Sequence, residues 1–368
     1  MKLENQYLNT QIEEYINDLI KSGQLRAGDR LPSLRSIASH FNTSITPVRQ
    51  ATQLFIKKGV LENIHGSGVF LKQETLNRTR TNRIGLLFSH AKNSLLESPY
   101  FREIVTGVDK GTFEIRNSLV WQALVPDTGE NFAENIYKTM EIVDGLILVA
   151  PLRRVYEEIE ETLLGINKPV VVLEWEGASE SINAVLFDSA ANTETGMNFL
   201  LSLGHQRIGY IGWGSWVDPE KNTAERKSFN AYRNILFENR LPIKDEYIIQ
   251  NLFYDDPEPL REMLKRPDLP TALFCFTSSS ALMIADVARE LGIGIPDDLS
   301  VIGIGDTDQN VRDRGITTIT RDPQKMGREG VRRLNEMVEE YESGTREVKR
   351  IILPGHINKR NSHAVPRK

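Results

Sequence analysis

The chain has 368 residues, 40% of them apolar and 26% charged, with a formal net charge of −5; that length exceeds the usual single domain, and the composition excludes a disordered or fibrous protein. Its longest apolar runs, such as residues 143–151, carry Asp144 and fall far short of the roughly 20 residues that cross a bilayer, so no membrane is expected as a partner. The first six residues contain no apolar stretch of signal-peptide length, and the single cysteine, Cys275, excludes an intramolecular disulfide, so the expected location is the cytoplasm.

Charge is unevenly placed. Residues 1–82 hold 11 Lys/Arg against 7 Asp/Glu, a net of +4 that leaves −9 for the remainder. A basic head on an acidic body suits a protein whose head alone meets phosphate.

In chain order, a first helix carries Ile12, Tyr15, Ile16, Leu19 and Ile20 at the spacing of a core-facing stripe, with Gly23 as its C-cap. Ser33 stands at the N-cap of a second helix that buries Leu34, Ile37, Ala38 and Phe41. A third helix opens at Ser44 and admits Pro47 in its first turn, where the missing N–H costs nothing. It turns Val48, Ala51, Leu54 and Phe55 inward and leaves Thr46, Arg49, Gln50 and Lys57 outside. Two short strands flanking His65 and Gly66 complete a winged helix-turn-helix over residues 1–72. A helix fits the major groove with its N-terminal residues at base edges, and arginine grips guanine bidentately, so Arg49 is the foremost candidate for a DNA contact. Ser44 and Thr46 suit phosphate oxygens.

The order of these features resembles the GntR family of bacterial repressors, through Gly28-Asp29-Arg30-Leu31-Pro32-Ser33, Arg35, Ile37-Ala38, Val48-Arg49-Gln50-Ala51 and Gly66-Ser67-Gly68-Val69-Phe70. That resemblance implies a double-stranded operator as partner and assigns DNA contacts to Arg35, Ser44, Thr46, Arg49, His65 and Gly66. Ile45 stands where the family usually has a base-reading arginine, which points to a different operator or to a thymine methyl against Ile45.

Residues 73–82 lack periodicity and read as a linker. From residue 83 to 358, strands near 84–89, 119–125, 145–150, 170–173, 184–187, 208–211, 272–276 and 301–304 alternate with helices near 99–114, 190–203, 224–239, 281–291 and 324–341. This alternation predicts parallel sheets covered by helices, and the length requires two doubly wound α/β subdomains with a ligand cleft between them. Residues 359–368 read as a polar tail. His205 reads as a residue capping the turn before its strand, and Cys275 as a buried, inert thiol.

In open α/β sheets, ligands sit beyond the carboxyl ends of strands, which nominates Ser89, Pro151, Glu174, Trp213, Thr277 and Asp306. Tyr100 and Arg226 are further candidates at the cleft rim and on the facing helix. Segments 143–147, 168–171, 203–208 and 292–301 resemble the effector domains of LacI-type repressors, which are similar to type I periplasmic sugar-binding proteins. The resemblance implies a sugar or sugar derivative as effector, Glu174 as a hydroxyl acceptor and Phe253 as a stacking aromatic. Thr277-Ser278 and Gly305 depart from the acidic and amide residues usual there, which leaves a deoxysugar, a uronate, a sugar phosphate or a non-carbohydrate open.

Together the two resemblances imply a ligand-responsive regulator that binds a two-fold operator as a homodimer, most simply a repressor released by its ligand. The competing classes are an α/β enzyme and a cytoplasmic sugar-binding protein. Against an enzyme, the chain has no P-loop, residues 209–214 have the wrong glycine order for a dinucleotide turn, and no Cys/His cluster has metal spacing, so no cofactor or metal is expected.

Overall fold

A computed structural model describes residues 2–21, 24–25, 28–57, 60–64, 66–72, 80–89, 98–124, 131–151, 153–213, 223–253, 255–343 and 347–367. The chain divides into two compact units, Met1–Thr79 and Arg80–Lys368.

In the first unit, helices α1 (Lys2–Lys21), α2 (Leu34–His40) and α3 (Ile45–Lys57) precede a hairpin of β1 (Leu61–Ile64) and β2 (Gly68–Leu71). Ile12, Ile16, Leu31, Ile37, Val48, Phe55 and Leu61 close its core. The Ser33 hydroxyl accepts from the Ser36 amide at 3.1 Å, which satisfies an orphan donor and fixes the start of α2. The hairpin pairs Ile64 with Gly68, and Gly66 turns it at φ +77°, a conformation glycine adopts without penalty. Leu54, expected inside, is 36% exposed. The inward stripe of α3 passes instead through Thr52, whose hydroxyl is satisfied by the Val48 carbonyl at 2.7 Å and so tolerates burial. Gly23 lies outside the described residues.

The second unit holds two six-stranded sheets. The first comprises β3 (Arg83–Phe88), β4 (Ser118–Ala123), β5 (Gly145–Val149), β6 (Val170–Leu173), β7 (Asn183–Phe187) and β13 (Arg350–Leu353), in the order β13-β7-β6-β5-β3-β4 and parallel throughout. The second comprises β8 (Ile208–Ile211), β9 (Ile248–Ile249), β10 (Ala272–Cys275), β11 (Ser300–Ile304), β12 (Thr317–Thr320) and β14 (His356–Asn358), in the order β14-β12-β11-β10-β8-β9. Only β14 runs antiparallel in it. The strands β5, β6, β8 and β10 are buried along their whole length, as continuous apolar runs in a two-faced sheet must be.

The chain passes between the lobes three times: after β7, after β12 and after β13. The second passage is the long helix Pro323–Ser343, which packs in the first lobe against the helix Pro99–Glu114. Two glycines make this crossing close. A Cβ at Gly107 would lie 2.1 Å from the Gln324 carbonyl, and one at Gly327 would lie 2.3 Å from that of Ile104. The start of Pro323–Ser343 is thereby set against the middle of Pro99–Glu114, and Tyr100, in the first turn of the latter, lies under the guanidinium of Arg321, two residues before the former, at 4.7 Å from ring centroid to cation.

Residues 359–367 are not a free tail. The Val301 amide donates to the Ser362 carbonyl at 2.7 Å, the Thr317 amide to the Ser362 hydroxyl at 2.8 Å, and the Ala364 amide to the Ser300 hydroxyl at 3.0 Å. The segment's polarity is spent on strand backbone and hydroxyl groups rather than on solvent. His205, 1% exposed, joins this arrangement with one ring nitrogen 2.9 Å from the Ala364 carbonyl oxygen and the other 2.9 Å from the Thr271 hydroxyl. Burial pulls its pKa below the usual imidazole value.

Candidate functional site

On the first unit, Arg35, Ser44, Thr46, Arg49 and Gly66 are all exposed. Thr46 and Arg49 are three residues apart on α3 and so share one face, beside the helix N-terminus, while Val48 and Ala51 hold the opposite face in the core. Ile45 is half-buried against that core, so its side chain serves packing as well as any groove contact. His65 lies outside the described residues.

On the second unit, a cavity of about 280 Å³ opens where strand ends of both lobes converge. Ala150 and Pro151 follow β5, Glu174 to Glu176 follow β6, Ser189 and Asn192 stand on the helix after β7, and Phe276 and Thr277 follow β10. Tyr100 and Phe101, on the first turn of their helix, and Arg321, after β12, complete the polar wall. Two strand ends are backbone outliers. Ala150 has φ +38° and Glu174 φ +54°, values that L residues adopt at a cost and that cluster at ligand sites.

An ion pair dominates the cavity. Arg321 Nη1 donates to Glu174 Oε1 at 3.0 Å, and the two side chains are 18% and 19% exposed. The guanidinium also lies 4.7 Å from the Tyr100 ring centroid and 5.2 Å from that of Phe187, so aromatic faces stabilise its charge. Burial raises the Glu174 carboxyl above the usual carboxylate range, opposed by Arg321. Burial likewise lifts the Tyr100 hydroxyl well above its ordinary value; Arg321 opposes this shift, and the nearby Glu174 adds to it. Glu176 accepts from the Ser189 amide at 3.1 Å and meets Lys227 at 2.7 Å. Thr277 lines the cavity while capping the helix Ser278–Glu290 through the Ser280 amide at 3.1 Å.

Of the residues nominated from sequence, Tyr100, Pro151, Glu174 and Thr277 line this cavity and five others do not. Ser89 is fully buried at the end of β3. Trp213 is half-buried, and its amide donates to Glu225 at 2.9 Å. Arg226 is exposed, and Phe253 forms an isolated bridge with Asp256. Asp306 is held by Arg360, 2.7 Å away, and by the Asn358 amide at 3.0 Å, so its carboxylate serves the C-terminal segment rather than the cavity. Arg321 and Asn192 were absent from the sequence-derived set. The strand-end rule reaches Arg321 once Thr317–Thr320 is recognised as a strand, whereas Asn192, a turn into its helix, carried no such signal.

Two family models match the chain: the gntR family of bacterial regulatory proteins over residues 8–71, and the periplasmic binding protein-like domain over residues 197–363. The chain joins a GntR-family head to a periplasmic-binding-protein-like body. Curated relatives match over nearly the whole chain or over its larger part. An arabinose metabolism transcriptional repressor from Geobacillus stearothermophilus is 25% identical, across 90% of this chain and 91% of its own length. A ribose operon repressor from Haemophilus influenzae is 26% identical, across 63% of this chain and 67% of its own. Among solved structures, a complex of the transcriptional regulator CelR with cellobiose superposes with a TM-score of 0.63 at 21% identity, covering 90% of this chain and all of that one. A LacI family regulator from Bifidobacterium animalis gives 0.63 at 23% identity, covering 78% of this chain. These two superpositions establish the fold of the periplasmic-binding-like body. No helix among the described residues is long and apolar enough to cross a membrane.

Proposed function

We propose that this GntR-headed transcriptional regulator binds a two-fold operator as a homodimer in the cytoplasm and represses from it. A small molecule, a sugar or sugar derivative, seated between the lobes of the body sets the operator affinity. The reading rests above all on the union in one chain of an exposed Thr46–Arg49 helix face and a cavity at strand ends lined by aromatic and charged side chains. Its relatives' names, repressors of arabinose and ribose genes, support both the sign and the effector class. In the proposed contacts, Arg49 reads a base, while Ser44, Thr46, Arg35, His65 and Gly66 set the register on phosphate. Arg321 and Glu174, from the two sides of the cavity, orient the effector. Ligand acts through its different affinity for the DNA-competent and incompetent arrangements of the lobes.

DNA binding that neutralises several phosphates weakens linearly in the logarithm of salt concentration, so the test is operator affinity across a salt series. A steep negative slope is expected. A chain that gains nothing on DNA at low salt contradicts the reading, as does one whose affinity ignores salt.

A further inference from the structure

Resting on that reading of the head as a DNA binder, the packing around its wing singles out one further side chain. Residues 28–31 run antiparallel beside β2 as a third strand: the Leu31 amide donates to the Val69 carbonyl at 2.8 Å, the Leu71 amide to that of Asp29 at 2.8 Å, and Arg30 stands opposite Phe70. Successive side chains of a strand point to opposite faces. Leu31, Leu61, Val69 and Leu71 face the core of the head, so Arg30 and Phe70 face away from it, on the side where Ile64 and Gly68 also lie.

The Arg30 guanidinium is laid along that outer face toward the hairpin turn. A Cβ at Gly68 would stand 2.8 Å from its Nε and 3.1 Å from Nη2, so the guanidinium occupies the place that a side chain at position 68 would take. Gly66, which turns the hairpin, is two residues from there, roughly 7 Å of strand. Arg30 is exposed, and its guanidinium has neither an ion pair nor a hydrogen bond among the described residues. Glu62, an acidic residue of the same face, stands across Phe70, two strand spacings or roughly 10 Å away.

We propose that Arg30 contacts a DNA phosphate beside the wing, in addition to the contacts assigned above to α3 and the hairpin turn. A full positive charge with no carboxylate holding it is carried on backbone bonded to β2 on both sides, one short step from that turn. The planar fork of arginine donors matches phosphate oxygens. Arg30 springs from the flank of the wing sheet, not from the helix that enters the groove, so it meets the DNA backbone and not a base edge. Phosphate contacts carry no sequence information, and this one therefore adds affinity equally on any duplex.

The test is fluorescence anisotropy of the full chain on a duplex recovered by selection from a random pool and on a scrambled duplex of the same length, from roughly 50 to 200 mM salt. Arg30→Gln is expected to weaken both duplexes about fivefold and to make the slope of log affinity against log salt shallower by about one, with the melting temperature unchanged because the side chain is exposed. Arg30→Lys, which keeps the charge, is expected to retain the parent's slope. Affinity and slope equal to the parent's in the Gln variant overturn the proposal, as does a Lys variant whose slope falls as far as that of Gln. A loss confined to the selected duplex also overturns it, because Arg30 would then read a base. In all three cases the regulatory reading stands, since the parent binds DNA; a parent that binds neither duplex at the lowest salt overturns that reading and this proposal with it.

Discussion

Arg321→Ala isolates the electrostatics of the cavity. The variant leaves the Glu174 carboxylate in a site where it is 19% exposed and without the cation that lies 3.0 Å away. Removing one member of a buried ion pair costs about 3–5 kcal/mol, and the partial exposure places this pair near the lower end. For a body of this size a loss of about 3 kcal/mol lowers the melting temperature by roughly 6–12 °C. The penalty depends on pH with a definite sign. Burial already raises Glu174 above its usual 4.5 and Arg321 is the principal opposing influence, so losing Arg321 raises the folded-state pKa further. Where the folded pKa exceeds the unfolded one, the folded state binds more protons, and stability falls as pH rises through that window. The variant's deficit relative to the parent is therefore smaller near the acidic end of the window and larger above it. Differential scanning calorimetry at pH 5 and pH 8 measures both. Adding Glu174→Gln to Arg321→Ala removes the stranded charge and is expected to return most of the loss at pH 8, less the packing of the guanidinium on Tyr100 and Phe187. An equal deficit at the two pH values, or no recovery from Gln at position 174, refutes the reasoning.

Gly107→Ala places a methyl 2.1 Å from the Gln324 carbonyl, so the two helices must separate; a loss of about 1–3 kcal/mol by denaturant titration is expected, and a neutral result would mean the crossing is not tight. His205, whose folded pKa is depressed by burial below the usual 6.5, contributes stability that is present above pH 6.5 and lost as pH falls toward the folded value. His205→Gln should flatten that part of the stability profile, which a thermal scan series from pH 7.5 to 5.5 reads directly. Arg49→Ala should weaken operator binding by about 1–3 kcal/mol, roughly 5- to 150-fold, without moving the melting temperature of the chain, as fluorescence anisotropy and calorimetry on one preparation would show.

Much of this architecture was legible because period and punctuation agreed. The helix expected over 99–114 is found over Pro99–Glu114, and the strand expected over 170–173 over Val170–Leu173. The head's helices are carried by the Ser33 cap and the apolar spacing of Ile37, Val48 and Phe55. Failures came where tertiary context overrides local pattern. Thr317–Thr320 is β-branched throughout, as a strand favours, but has one apolar residue where the other strands are apolar runs; three of its four residues are nonetheless buried beside β11, with the Thr317 hydroxyl facing His363 Nδ1 at 2.7 Å. Missing that strand hid Arg321, the charge on which the cavity turns. Asp306 was misplaced for a related reason: its partner Arg360 lies 54 residues on, in a segment whose composition resembles a tail. Phe253 was nominated by the resemblance to LacI-type effector domains, and a position carried over that way inherits the relative's loop geometry, not this chain's.

The central claim is that a molecule held in the body alters the grip of the head on DNA. Anisotropy titration of a DNA site, recovered by selection from a random pool with the full chain, measures it when run with and without saturating ligand. An affinity change of about 5- to 150-fold is the predicted result, the range of typical allosteric coupling. An operator affinity that stays the same at ligand saturation contradicts it.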